Sequence, residues 1–268
     1  MKNILLKIIE FILNVLAYKD KKETDLEEKP IIDTNIPNEE EKAPEVVEIK
    51  PNEVIEQSKE ETTTKEPKEV YQMLSLKERQ TYLKKIGLYT SKIDGIIGTG
   101  SKRAIKQFNI IFLNKKSETY TEDTDKLLRV IYDSYNKSPY MVDSDWKYFK
   151  NFKPGEFYCT CRKKYCDGWN GLRNKIPMHL LMADQYVRNY FNAPVSLTST
   201  IRCDKRNKEV GGVKNSKHRL FRANDMGVKG VKAAAVKKFI YTDKNTKLPF
   251  INYAYDINKN YEHIDVII

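Results

Sequence analysis

The stretch SKHRLFRAND, Ser216 to Asp225, decides how the second half of this chain reads. It places His218 and Asp225 seven residues apart, between Gly211-Gly212 and Gly227. Near the end of the sequence, YEHIDV (Tyr261 to Val266) adds His263. Two imidazoles and one carboxylate are the set that a catalytic zinc ion takes from a protein when a fourth position stays open. His218 and Asp225 are too far apart for successive helical turns, and Arg219, Phe221 and Arg222 suggest a turn that leads into a strand. On a strand, residues two apart share a face, so Tyr261, His263 and Asp265 are expected to point together towards one site. The plainer reading makes two of the chain's three histidines ordinary surface or core residues. Each histidine alone fits that reading, but the constellation favours a metal.

These residues resemble the metal motif of the D-alanyl-D-alanine metallopeptidases, a group that includes zinc carboxypeptidases and phage L-alanyl-D-glutamate endolysins. The motif is Ser-x-His, two residues, Gly-x-Ala-x-Asp, then a distal His. The chain matches it at Ser216, His218, Ala223, Asp225 and His263, and departs at Phe221, where the family usually has Gly. Upstream, TSTIRCDKRNKEVGG (Thr198 to Gly212) is similar to the family's Ser-Gly-Tyr-Arg segment, with Arg202, Asn207 and Gly212 in register. The similarity covers about the last 120 residues. It implies a Zn2+ cofactor held by His218, Asp225 and His263. It also implies a clamp, Arg202, for a substrate carboxylate or developing oxyanion, and a substrate hydrogen bond from Ser216. Relatives often carry an acid or a second His just upstream of the last ligand, where this chain has Asn260, Tyr261 and Glu262. Glu262 is expected on the opposite strand face from His263, whereas Asp265 shares that face. Asp265 is therefore the candidate for general base or for a partner that orients His263.

Around the motif, IPMHLLMADQYVRNYFN (Ile176 to Asn192) reads as an amphipathic helix behind a sheet, with His179 near its start as a helix residue rather than a ligand. PVSLTSTI (Pro194 to Ile201) reads as a strand delivering Arg202, VKAAAVKKFIYT as a helix, and FINYAYDI and HIDVII as closing strands. Helices and strands that do not alternate as βαβ point to an α+β domain with an antiparallel sheet over residues 151–268. All four cysteines, Cys159, Cys161, Cys166 and Cys203, fall in this region. They could make two disulfides, a structural zinc site or free buried thiols; each option would tie the 159–166 loop to the Arg202 segment.

Residues 71–135 read as a small all-α unit of helix, turn and helix, with the turn built on Asp94-Gly95 and Gly98 and with Ser101 as an N-cap. They resemble the three-helix peptidoglycan-binding domain found beside many wall hydrolases. The match rests on Gln80, Leu83, Gly87, Asp94, Gly95, Gly98, Ala104, Phe108 and, in a third helix, Leu127-Leu128; Asn109 stands where the family usually has Gln. The alternative is a helical spacer. Residues 136–150 read as a connector. Residues 19–70, rich in Glu, Lys, Pro and Thr and without an aromatic residue, read as a disordered linker. Residues 4–18 place their apolar side chains at helical spacing and are too short to cross a bilayer upright. Two readings stand for them: an amphipathic helix on a membrane or virion partner, or a signal-like segment.

The net charge of +11 is uneven. Residues 19–70 hold nine Lys against seventeen Asp or Glu, which with +1 on residues 1–18 leaves +18 on residues 71–268. Such a surface suits a polyanion. No groove-reading helix or base-stacking pattern accompanies it, so nucleic acid is not the expected partner. The expectation is a zinc peptidase acting on peptidoglycan stem peptides at the bacterial cell wall, such as an endolysin or virion-associated lysin. The alternative is a non-catalytic wall-binding or structural virion protein that keeps a degenerate peptidase fold.

Overall fold

The structure is a computed structural model that describes residues 71–268. The expectations for residues 4–18 and 19–70 lie outside the described residues. No helix among those described is long and apolar enough to cross a membrane.

Helix α1 (Leu76–Lys85) opens on a capping box, in which the Ser75 backbone N–H donates to Glu78 at 2.7 Å and the Glu78 N–H donates back to the Ser75 hydroxyl at 3.4 Å. Helix α2 (Thr99–Phe108) runs straight into a wider π turn over Asn109–Leu113, and α3 (Glu122–Lys137) starts at Thr121. One side chain organises the turn between α1 and α2. Buried Gln80 accepts from the Asp94 and Gly95 N–H groups at 3.0 and 2.8 Å, and donates to Asp94 Oδ1 and the Ile96 carbonyl, each at 2.9 Å. Ser101 is not the N-cap: the helix begins two residues earlier, after Gly98, and Ser101 is buried against Gln80 at 3.2 Å.

Three short 3-10 turns, Asp143–Tyr148, Pro154–Phe157 and Arg173–Lys175, then lead to α4 (Met178–Phe191). The remainder is β1 (Val195–Ser199), α5 (Asp204–Glu209), β2 (Ala223–Val228), α6 (Ala233–Lys237), β3 (Ile251–Asp256) and β4 (Tyr261–Val266). The four strands form one antiparallel sheet in the order β1-β2-β4-β3, the α+β arrangement expected. The register sets Asp225 on β2 directly opposite His263 on β4. Alternation then sorts the faces. Asn224 points back to α4, where it donates to Asp184 at 2.6 Å, while Asp225 points the other way. On β4, Glu262 shares the face of its partner Asp256, which pairs with Lys237 of α6 at 3.2 Å. The helices therefore cover one face, and Asp225 and His263 occupy the other.

The described residues pack as one unit, with a hydrophobic core that is continuous from Leu74 on the first helices to Val266 on the last strand. The π turn leaves backbone carbonyls without helical partners, and Asn189 of α4 donates to two of them, Ile110 at 2.7 Å and Ile111 at 3.1 Å. Gln107 of α2 donates to the Lys247 carbonyl at 2.8 Å. His179 sits at the same seam, as a helix residue and not a ligand. Its ring stacks on Phe250 with centroids 4.3 Å apart, and its nitrogens face the carbonyls of Ile86 (3.2 Å) and Ile267 (2.9 Å). Gly87 makes this approach feasible: its φ is +81°, and a Cβ there would stand 2.8 Å from His179 Nε2.

Candidate metal centre

His218 is delivered by a 3-10 turn, Lys217–Leu220, that follows half-buried Ser216. Phe221 ends the turn at φ +58°, ψ +30°, the left-handed region where a glycine would be at ease. The departure from the family motif is thus one of side chain and not of backbone path. The Phe221 ring is fully buried against Phe157 and Trp169, at centroid distances of 6.4 and 6.1 Å. The chain then enters β2, which carries Asp225, and the register across to β4 brings in His263.

Three donor atoms converge. His263 Nδ1 lies 2.7 Å and His218 Nε2 3.1 Å from Asp225 Oδ1, and the two ring nitrogens are 3.3 Å apart. Tetrahedral zinc with bonds of about 2.0–2.1 Å sets neighbouring donors roughly 3.3 Å apart, so this set fits the ion. The far side of each imidazole faces an acceptor. His218 Nδ1 is 2.6 Å from the Thr200 carbonyl, which fixes the tautomer that leaves Nε2 bare. His263 Nε2 is 3.7 Å from Asp265 Oδ2, and Tyr255 stacks on the ring at 4.6 Å. Burial pushes the Asp225 carboxyl up, but hydrogen bonds and charge from His218 and His263 outweigh it and hold the group well below the usual carboxylate range.

Arg202 reaches the site from the segment after β1. Its Nη2 donates to Asp225 Oδ2 at 2.5 Å and its Nε to Ser199 Oγ at 2.7 Å. The resemblance implies a clamp for substrate; in the structure the guanidinium bonds the outer oxygen of Asp225, and Nη1 has no hydrogen-bond partner among the described residues. Asp265 lies 3.7 Å from the His263 nitrogen turned away from the donor cluster and accepts from Asn252 at 2.6 Å, the geometry of a partner behind that ring. Glu262 lies on the opposite face, as expected.

The positioning groups that sequence reasoning missed are Ser199, Thr200, Asn252 and Tyr255. Strand alternation gives a signal for Tyr255, which lies opposite His263 in the β3–β4 register. The Thr200 contact is made by a backbone carbonyl, which any residue type could supply. The four cysteines form no disulfide and gather with their sulfurs within 4.8 Å of one another.

No curated protein matches the chain. The resemblance read from the motif has independent support, since residues 150–265, which carry the Arg202 segment and both ligand strands, match the family model of Peptidase M15.

Proposed function

We propose that the protein is a zinc peptidase that hydrolyses a peptide bond in peptidoglycan stem peptides, with His218, Asp225 and His263 as its metal ligands. The observation that carries this reading is the convergence of those three donors, each with a polar partner on its far side. When bound there, zinc would supply Lewis acidity towards a scissile carbonyl and lower the pKa of a water. The chain's own residues do the rest. Thr200 and Asp265 hold the imidazoles in their tautomers and orientations. Arg202 fixes the carboxylate through Oδ2 and keeps Nη1 to receive a substrate carboxylate or the charge that develops on its carbonyl oxygen. Tyr255 covers His263 while remaining 42% exposed, a position from which its hydroxyl can meet substrate. The excess of cations on residues 71–268 favours an anionic wall polymer as the neighbour, and the α1–α3 unit is the part proposed to hold it.

A second reading, a wall-binding or structural virion protein that keeps this fold without catalysis, draws on one observation. Among the described residues, the acids beside the cluster other than Asp225 are Asp265, behind His263, and Glu262, on the far face. Mass spectrometry of muropeptides from purified sacculi separates the two. The zinc-loaded full chain is expected to release stem-peptide fragments, and His218→Ala is expected to release none. Sedimentation with sacculi but no cleavage by the zinc-loaded wild type would establish the second reading.

A further inference from the structure

A second cluster of donor side chains involves Cys203, the residue after Arg202. We infer that Cys159, Cys161, Cys166 and Cys203 bind one structural zinc ion through four thiolates. Their sulfurs all fall within 4.8 Å of one another, so one ion could reach all four. The Cys161 and Cys166 sulfurs are 3.5 Å apart, far beyond the roughly 2.05 Å of a disulfide. Zn–S bonds of about 2.3 Å in a tetrahedron set sulfurs roughly 3.8 Å apart, within the range seen here.

The surroundings suit a metal thiolate. The Cys203 backbone N–H donates to Cys159 Sγ at 3.3 Å, a contact that favours sulfur as an anion. A Zn(Cys)4 unit carries two negative charges, and its neighbours in the sequence are cationic: Arg162, Lys163 and Lys164 lie between Cys161 and Cys166, and Lys205 and Arg206 follow Cys203. Three of the four cysteines are buried, as a closed structural site requires. The loop they hold also needs a staple. Arg162 (φ +53°), Lys163 (φ +65°), Gly168 (φ +95°), Asn170 (φ +50°) and Gly171 (φ +70°) all adopt left-handed backbone in an irregular stretch. Soft thiolate donors in a tetrahedron select zinc, or iron in an iron–sulfur centre, over hard cations.

The position gives the second ion a purpose. Cys203 follows Arg202, and Thr200, whose carbonyl fixes His218, is three residues before it. At the other end of the loop, Phe157 and Trp169 form the bed of Phe221. A zinc ion joining Cys159, Cys161 and Cys166 to Cys203 would therefore pin both the Arg202 segment and the turn that delivers His218. Binding releases the thiol protons to solvent.

The test is metal content and spectroscopy of the full chain, purified under reducing conditions. Wild type is expected to carry two zinc ions per chain and His218→Ala one. His218→Ala reconstituted with Co2+ should show sulfur-to-cobalt charge-transfer absorption and intense d–d bands of tetrahedral thiolate coordination. The Cys161→Ser/Cys166→Ser double variant should lose those bands; should it fail to fold, the cobalt spectrum of His218→Ala still decides the matter. Zinc absent from His218→Ala, iron in its place, or four cysteines that resist alkylation in protein purified and denatured without reductant would each overturn the proposal.

Discussion

Asp225 presents its two oxygens to different partners, and much of the site's chemistry follows from that division. Oδ1 meets both imidazoles, and Oδ2 meets Arg202. Loss of Arg202 should therefore weaken metal retention as well as turnover. Arg202→Ala is expected to lower kcat roughly a hundredfold, about 3 kcal/mol, and to lower zinc affinity about 10–100-fold. Arg202→Lys should recover little, because an ammonium cannot bridge Ser199 and Asp225 from one rigid plane. Steady-state cleavage with zinc analysis checks this; wild-type kinetics in Arg202→Ala would remove the residue from the site. Glu262 supplies a pH test. Burial, then the neighbouring Asp256 carboxylate, push its pKa up to about 9 from an ordinary 4.5. The fold thus keeps a proton that the unfolded chain releases, and this stabilising contribution, complete below pH 4.5, fades as pH rises towards 9. Glu262→Gln cannot ionise, so its melting temperature relative to wild type should climb between about pH 5 and pH 8. A difference that stays flat with pH would show that Glu262 is ionised in the fold. At this scale the convergence of His218, Asp225 and His263 was legible because zinc chemistry demands particular residue types. The groups behind them were not, since a carbonyl such as that of Thr200 leaves no mark in composition.

The turn from Lys217 to Phe221 shows what an element adds to its residues. Left-handed backbone costs an L-residue about 1–2 kcal/mol, whereas burying a phenyl ring against Phe157 and Trp169 is worth about 3 kcal/mol or more. Burial wins. Phe221→Gly, which restores the family residue, should therefore lower stability by roughly 2 kcal/mol, with zinc content unchanged. Thermal melts with metal analysis test it, and a more stable glycine variant would show that backbone strain dominates. Periodic spacing made the strand after this turn and the helices legible in the sequence. It misplaced the start of α2 because Ser101 resembles a cap, whereas its hydroxyl serves the buried Gln80 network instead. A network that joins residues 80, 94, 96 and 101 is a tertiary feature, and local pattern does not reveal it.

Over the whole described molecule, the helices of residues 71–135 and the sheet domain are not separate bodies. They share one core, and the His179, Asn189 and Gln107 side chains bond across the seam. Composition and motif divide the chain at residue 135, yet a buried polar seam is invisible to either. Removing one side would strand these groups without partners, at about 1–3 kcal/mol for each. Calorimetry of the full chain is therefore expected to show a single cooperative transition for the folded part. Two resolved transitions would mean that the seam opens independently.

The central claim is that the His218, Asp225 and His263 cluster uses zinc to cut peptide bonds. Its most direct test follows a stem pentapeptide by mass spectrometry with three preparations: the zinc-loaded full chain, the same protein stripped by chelator, and the stripped protein given zinc again. The account predicts cleavage, loss of cleavage and recovery in turn, with no recovery in His263→Ala. Cleavage that survives complete removal of zinc, or that persists in His263→Ala, would contradict it.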